Sequence, residues 1–184
     1  EISYIKFEFF VDAEFAGDQD NRRSIMGRII YLNDAPIGWN SKAMSGVTLS
    51  STEAEYVSMS EGLKDLKLIY ICLKYLKLKV NLPMLVLIDN IGAIEMLELK
   101  TNKCSTKHVD TRYHWIKEFI NDETVLVKYI KSEENVSDIC MKNLPPNLFE
   151  KHSSKLITNV RFIVRCNTRQ IGKGETWRDT DWAK

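Results

Sequence analysis

At 184 residues, with 44% hydrophobic and 28% charged side chains, the chain has the composition of an ordinary globular domain long enough for a sizeable core. Its formal net charge of +1 excludes a globally basic nucleic-acid binder and leaves only local charge for that purpose. No stretch reaches the length of a membrane span and no secretory leader pattern is visible. Cys72, Cys104, Cys140 and Cys166 form no CxxC pair, as expected of a reduced intracellular protein. The first residues lack a Met and fall almost at once into a strand-like run, as in a piece of a longer polypeptide.

Residues 5–15 predict a strand, with Phe7, Phe9, Val11, Ala13 and Phe15 on one face and Glu8, Asp12 and Glu14 on the other. Ser24–Leu32 and Pro36–Ser41 predict two more strands around the turn formers Asn33 and Asp34, and Trp39 is expected in the core. A long helix follows. Ser50–Glu53 and Thr52–Glu55 both match a capping box, apolar residues recur at helical spacing from Val57 to Leu76, and the helix is expected to end near Lys79. Met84–Ile88 is the continuous apolar run of a strand buried on both faces, with Asp89 at its carboxyl end. Ile91–Leu99 and Lys107–Asn121 predict helices, Val125–Ile130 a strand, and Val136–Leu144 a short helix carrying Asp138, closed off by Pro145-Pro146. The order is that of an α/β domain over residues 1–146, with a mixed sheet flanked by helices. Residues 147–184 differ in character: a short helix, then a polar end expected to be disordered.

Asp12, Glu55, Asp89 and Asp138 are candidate ligands for magnesium or manganese, because hard cations take oxygen ligands and paired ions can cut phosphodiesters. Each has an ordinary reading as well: a strand-face acid at Asp12, a capping-box residue at Glu55, a helix N-cap at Asp89 and an acid near a helix start at Asp138. His108, Asp110, Arg112 and His114 lack the spacing of a helical zinc site and read as a hydrogen-bonded structural cluster. Lys64, Lys67, Lys74, Lys77 and Lys79 read equally as a solvated helix face or a phosphate-binding one.

Six blocks in this order, DAEFAGDQDNRRSIMGRIIYL, APIGWNSKAM, LSSTEAEYVSMSEG, LIDNIGAIEM, TKHVDTRYHWIKEFI and VSDICMKNLP, resemble the ribonuclease H (RNase H) domain of copia-type LTR retrotransposon polyproteins. The resemblance covers roughly residues 5–146. It implies an RNase H-like fold, with three antiparallel strands followed by two more in a five-stranded mixed sheet. It also implies cleavage of the RNA strand of RNA–DNA hybrids during reverse transcription. Asp12, Glu55, Asp89 and Asp138 fall at the four catalytic, metal-binding positions; Glu55 is preferred to Glu53 because AEYVSM matches the helix start of RNase H relatives. Two magnesium or manganese ions about 4 Å apart would be clamped there, with Asp12 bridging, Glu55 and Asp89 on one side and Asp138 on the other.

Arg22, Arg23, Ser51, Thr52, Asn90, Lys107, His108 and Arg112 are the implied nucleic-acid contacts. The implied partners are the hybrid and an upstream reverse transcriptase domain of the same polyprotein, with no membrane. The implied setting is intracellular, in a cytoplasmic virus-like particle. The chain departs from the family's usual pattern at Glu14-Phe15, at Cys104, Ser105 and Thr106, and at Met141. The loop KSEENVS lacks the histidine of cellular relatives, leaving Glu133 or Glu134 as stand-ins. The presence of all four acids favours an active enzyme. A catalytically inactive remnant serving as a binding or packing module, and a DNA-cutting nuclease or transposase of the same fold, are the rival readings.

Overall fold

In the computed structural model, which describes residues 4–18, 20–98 and 115–157, β1 (Phe7–Glu14) is the central strand of a five-stranded sheet of order β3-β2-β1-β4-β5. β2 (Ile25–Leu32) pairs antiparallel with β1, and β3 (Ala35–Ala43) antiparallel with β2. Asn33 and Asp34 both take positive φ, 49° and 65°, the requirement of a tight primed hairpin turn. β4 (Met84–Ile88) and β5 (Val125–Tyr129) add in parallel on the other side of β1, giving the mixed sheet expected.

The period-2 pattern of β1 sends Phe7, Phe9 and Val11 into the main core. They meet Tyr56, Met59, Leu63 and Leu66 of α1 (Ser51–Tyr75), together with β4, α2 (Ile91–Glu98), and Ile116 and Phe119 of α3 (residues 115–121). Gly62 permits the close crossing: a Cβ there would lie 2.2 Å from Phe9 Cζ. The opposite face is covered by Val136 and its neighbours and by α4 (Pro146–Leu156), packing on Phe10, Ile29 and Tyr31. α4 buries His152 completely.

Several expectations are corrected. Asp138 lies not on an α-helix over Val136–Leu144 but on a five-residue 3-10 turn, Val136–Cys140, preceded by another at Ser132–Glu134. Trp39 is 71% exposed rather than core, because alternate residues of the edge strand β3 face solvent. Phe15 is exposed as well, since β1 ends at Glu14 and Ala16 turns the chain with φ 52°. α1 stops at Tyr75, four residues before Lys79, where Lys77 takes positive φ. Cys72 and Cys140 are free thiols. No helix among the described residues is long and apolar enough to cross a membrane. Lys107, His108, Asp110, Arg112, His114, Cys104, Cys166 and the expected disordered end fall outside the described residues.

Candidate metal centre

β1 outruns its parallel neighbour. Its pairing with β4 covers Glu8–Phe10 opposite Leu85–Leu87, so Asp12 lies beyond the point where β4 gives way to Asp89 and α2. That notch at the carboxyl end of β4 is where open α/β sheets place ligands. α1 delivers Glu55 into it. The capping box at the helix start belongs to Glu53, whose N–H donates to Ser50 Oγ at 3.1 Å while its Oε2 accepts from Leu49 N at 2.7 Å. Glu55 is thereby free of capping and points inward, 7% exposed. Ser58, one turn on, donates to Asp12 O at 2.9 Å and ties α1 to β1 at this level.

Carboxylate oxygens of Asp12, Glu55 and Asp89 all lie within 4.8 Å of one another. Among the described residues, one oxygen of each (Asp12 Oδ2, Glu55 Oε2 and Asp89 Oδ1) is buried without an aligned hydrogen-bond donor, although leaving a buried acceptor unpaired is costly. The other oxygens are oriented. Asn90 Nδ2 donates to Glu55 Oε1 at 3.1 Å, Ala13 N to Asp12 Oδ1 at 2.6 Å, and Ser132 Oγ to Asp89 Oδ2. The N-cap of α2 is Asn90, not Asp89: Asn90 Oδ1 accepts from Ala93 N at 3.0 Å.

Burial is the main cause of raised carboxyl pKa values here, and like charge adds to it. Glu55 is pushed up to about 8 by desolvation, then by Asp12 and Asp89. Asp12 rises to about 6 through burial and the neighbouring Asp138 carboxyl, against the pull of Lys142. Asp89 is raised by burial and by Asp12. Three crowded carboxylates of hard oxygens are a donor set that fits a divalent cation such as magnesium or manganese.

Asp138 stands outside this trio and reaches Asp12 through a residue the sequence reading missed. Lys142 Nζ lies 2.6 Å from Asp12 Oδ2 and 2.9 Å from Asp138 Oδ1. The Asp12 contact is a charge contact without hydrogen-bond alignment, so Asp12 Oδ2 is ion-paired although no donor is aimed at it. Burial lowers the pKa of Lys142, but the Asp12 charge and the close contacts with Asp12 and Asp138 outweigh it, leaving a net upward shift. The i, i+4 spacing of Asp138 and Lys142 in DICMK was the available signal.

Asn135 was missed too. Fully buried, it donates from Nδ2 to Val11 O at 3.1 Å and accepts at Oδ1 from Ser137 Oγ at 2.6 Å, riveting the Asp138 turn to the strand one residue before Asp12. Gly27, the register partner of Asp12, makes room for that turn. A Cβ at Gly27 would stand 2.5 Å from Met141 Cε and 2.8 Å from the backbone oxygen of Ser137.

Of the implied nucleic-acid contacts, Arg22 and Arg23 are exposed on the turn after β1, where Asp18 Oδ1 accepts from Asp20 N and Asn21 N. Ser51 is exposed at the start of α1, and Thr52 packs toward Gly92 of α2. Asn90 is occupied in capping and in holding Glu55.

No protein-family model matches the chain. It is 38% identical over 141 residues, 77% of its length, to the retrovirus-related Pol polyprotein from transposon TNT 1-94 of Nicotiana tabacum. It is 31% identical over 147 residues, 80% of its length, to that from transposon RE1 of Arabidopsis thaliana. It spans about 10% of the length of each of these two relatives. Among solved structures it resembles LC11-RNase H1 in complex with an RNA/DNA hybrid, with TM-score 0.52 and 16% identity over 71% of this chain and 88% of that one. It also resembles the N-terminal RNase H domain of rv2228c from Mycobacterium tuberculosis, with TM-score 0.52 and 14% identity over 82% of this chain and 97% of that one. Sequence and architecture agree: the chain belongs to the RNase H domains of retrotransposon Pol polyproteins.

Proposed function

We propose that this chain is a metal-dependent endoribonuclease that cuts the RNA strand of RNA–DNA hybrids during retrotransposon reverse transcription. The observation that carries the reading is the convergence of carboxylate oxygens from Asp12, Glu55 and Asp89 within 4.8 Å of one another at the open end of an RNase H-like sheet. Asp12, Glu55, Asp89 and Asp138 are the proposed catalytic and metal-holding residues. Magnesium or manganese held there, as two ions, would supply an acidified water and charge stabilisation for the leaving oxygen. Glu55, its pKa pushed up to about 8, would give up its proton on becoming a ligand, and Asn90 fixes its direction. Ser132 does the same for Asp89, and Asn135 sets the depth of Asp138.

Arg22, Arg23, Ser51 and Thr52 are proposed to contact the hybrid backbone, with Lys107, His108 and Arg112 completing the set; Asn90 contributes through Glu55. Residues 1–146 form the nuclease unit and 147–184 an extension whose first helix covers the Asp138 turn. An upstream reverse transcriptase domain, in an intracellular cytoplasmic particle, is the proposed context. The rival, an inactive module, draws on one observation: a lysine already neutralises Asp12 and Asp138.

Cleavage of labelled RNA in a hybrid, in an RNA duplex and beside a DNA duplex, with magnesium or manganese, tests the reading. Hybrid-only cutting that disappears in Asp89→Asn is the expected result. Folded protein that leaves the hybrid intact, even with manganese and the reverse transcriptase domain supplied, sinks it.

A further inference from the structure

We propose that Lys142 is a tethered counter-cation: it holds the Asp12–Asp138 side of the site together when no ion is there, and it must swing away before a divalent ion can occupy that side. The inference rests on the metal-centre reading above and adds an order of loading to it.

The two sides of Asp12 differ in what they lack. Toward Glu55 and Asp89, Glu55 Oε2 and Asp89 Oδ1 have no hydrogen-bond donor among the described residues. Toward Asp138 an ammonium already spans the two carboxylates, at 2.6 and 2.9 Å. An ammonium is a compact point charge with donors and no acceptor, so it cannot share that position with a divalent cation; the two repel. The stem is built to let it leave. Lys142 N donates to Asp138 O at 2.8 Å and Met141 N to the same oxygen at 3.1 Å, so the backbone is anchored. The side chain itself is 32% exposed, against 2% and 8% for the two acids it bridges.

Charge favours a sequence of events. Four ionised carboxylates with one ion and the lysine carry one net negative charge, which still attracts a second ion. With the lysine held in place, that second ion would meet a positive neighbour. The first ion therefore enters on the Glu55 and Asp89 side, away from the ammonium, and the second binds more weakly because it must displace it.

The test counts ions rather than cleavage. Manganese binding to the full chain is followed by the electron paramagnetic resonance of free Mn2+, alongside thermal unfolding with and without chelator. In Lys142→Met the second Mn2+ is expected to bind roughly tenfold more tightly while the first stays within about twofold. The metal-free variant should unfold at lower temperature than the parent, with Mn2+ restoring it. Lys142→Gln should behave alike, and a variant that folds only when Mn2+ is added also supports the proposal. Unchanged second-ion affinity in folded Lys142→Met and Lys142→Gln overturns it. Failure of the metal-centre reading looks different: the parent chain then binds no Mn2+, and Asp89→Asn alters nothing.

Discussion

The two sides of Asp12 solve one electrostatic problem in opposite ways. Toward Glu55 and Asp89, carboxylates are crowded and buried, Asp89 raised above its ordinary range and Glu55 pushed up to about 8. Toward Asp138, a lysine one turn along the chain cancels the repulsion. The first arrangement stores a demand for a cation in the folded state, whereas the second meets that demand from within. A site that is half unsatisfied and half self-satisfied separates affinity for an ion from stability without one.

The severest way to break the contrast is Glu55→Gln. It removes a charge from the unsatisfied side, so hybrid cleavage should fall by more than roughly a hundredfold, the loss that outer-shell changes around a metal already reach. Metal-free thermal stability should rise instead, because a buried carboxyl crowded by Asp12 and Asp89 has gone. Activity falling together with stability would refute this account.

Gly27→Ala attacks the satisfied side. Its methyl would press on the Ser137 backbone at 2.8 Å, which cannot swing aside as a side-chain tip does. About 1–3 kcal/mol of stability should be lost in urea titration, with cleavage reduced as Asp138 is displaced. Gly38→Ala, with nothing within 4 Å of the new Cβ, should cost almost nothing and serves as the control.

A pH series sharpens the comparison. The acids at Asp12 and Glu55 have folded pKa values of about 6 and about 8, above their ordinary values, so the native state binds more protons than the unfolded state across that range. Metal-free stability is therefore greatest at the acid end and declines as pH rises through those values. Unfolding temperatures in chelator should fall by several degrees between about pH 5 and about pH 8. Saturating magnesium should reverse the slope, since bound ligands must be deprotonated. A flat metal-free profile would contradict the crowding. The smallest effect is expected from Glu53→Ala, about 1 kcal/mol through loss of the cap, with Mn2+ affinity unchanged; a shift in affinity would mean that the two glutamates had been assigned the wrong way round.

Much of this was legible in the sequence because period-2 and period-3.6 patterns report burial directly. The antiparallel start, α1, the buried run of β4 and the acids at strand ends or helix starts all follow from such patterns, and the block order supplied the topology. Trp39 escaped because an aromatic residue in a strand carries no sign of which face, or which edge, it occupies. The 3-10 turn at Asp138 escaped because its conformation is set by Asn135 bonding to Val11, 124 residues earlier in the chain. Lys142 was hidden by its company: the acids drew notice, and a lysine four residues after one of them looks like any solvated helix pair.

Gly27 bears on how genomic copies of such elements are sorted into living and dead. A census that scores only the four acids treats the β2 position opposite Asp12 as neutral. One added methyl there pushes against Ser137 and Met141, which frame the turn bearing Asp138. On this reading a copy with every proposed ligand intact would still be silenced by a single-codon change at a residue with no chemistry of its own.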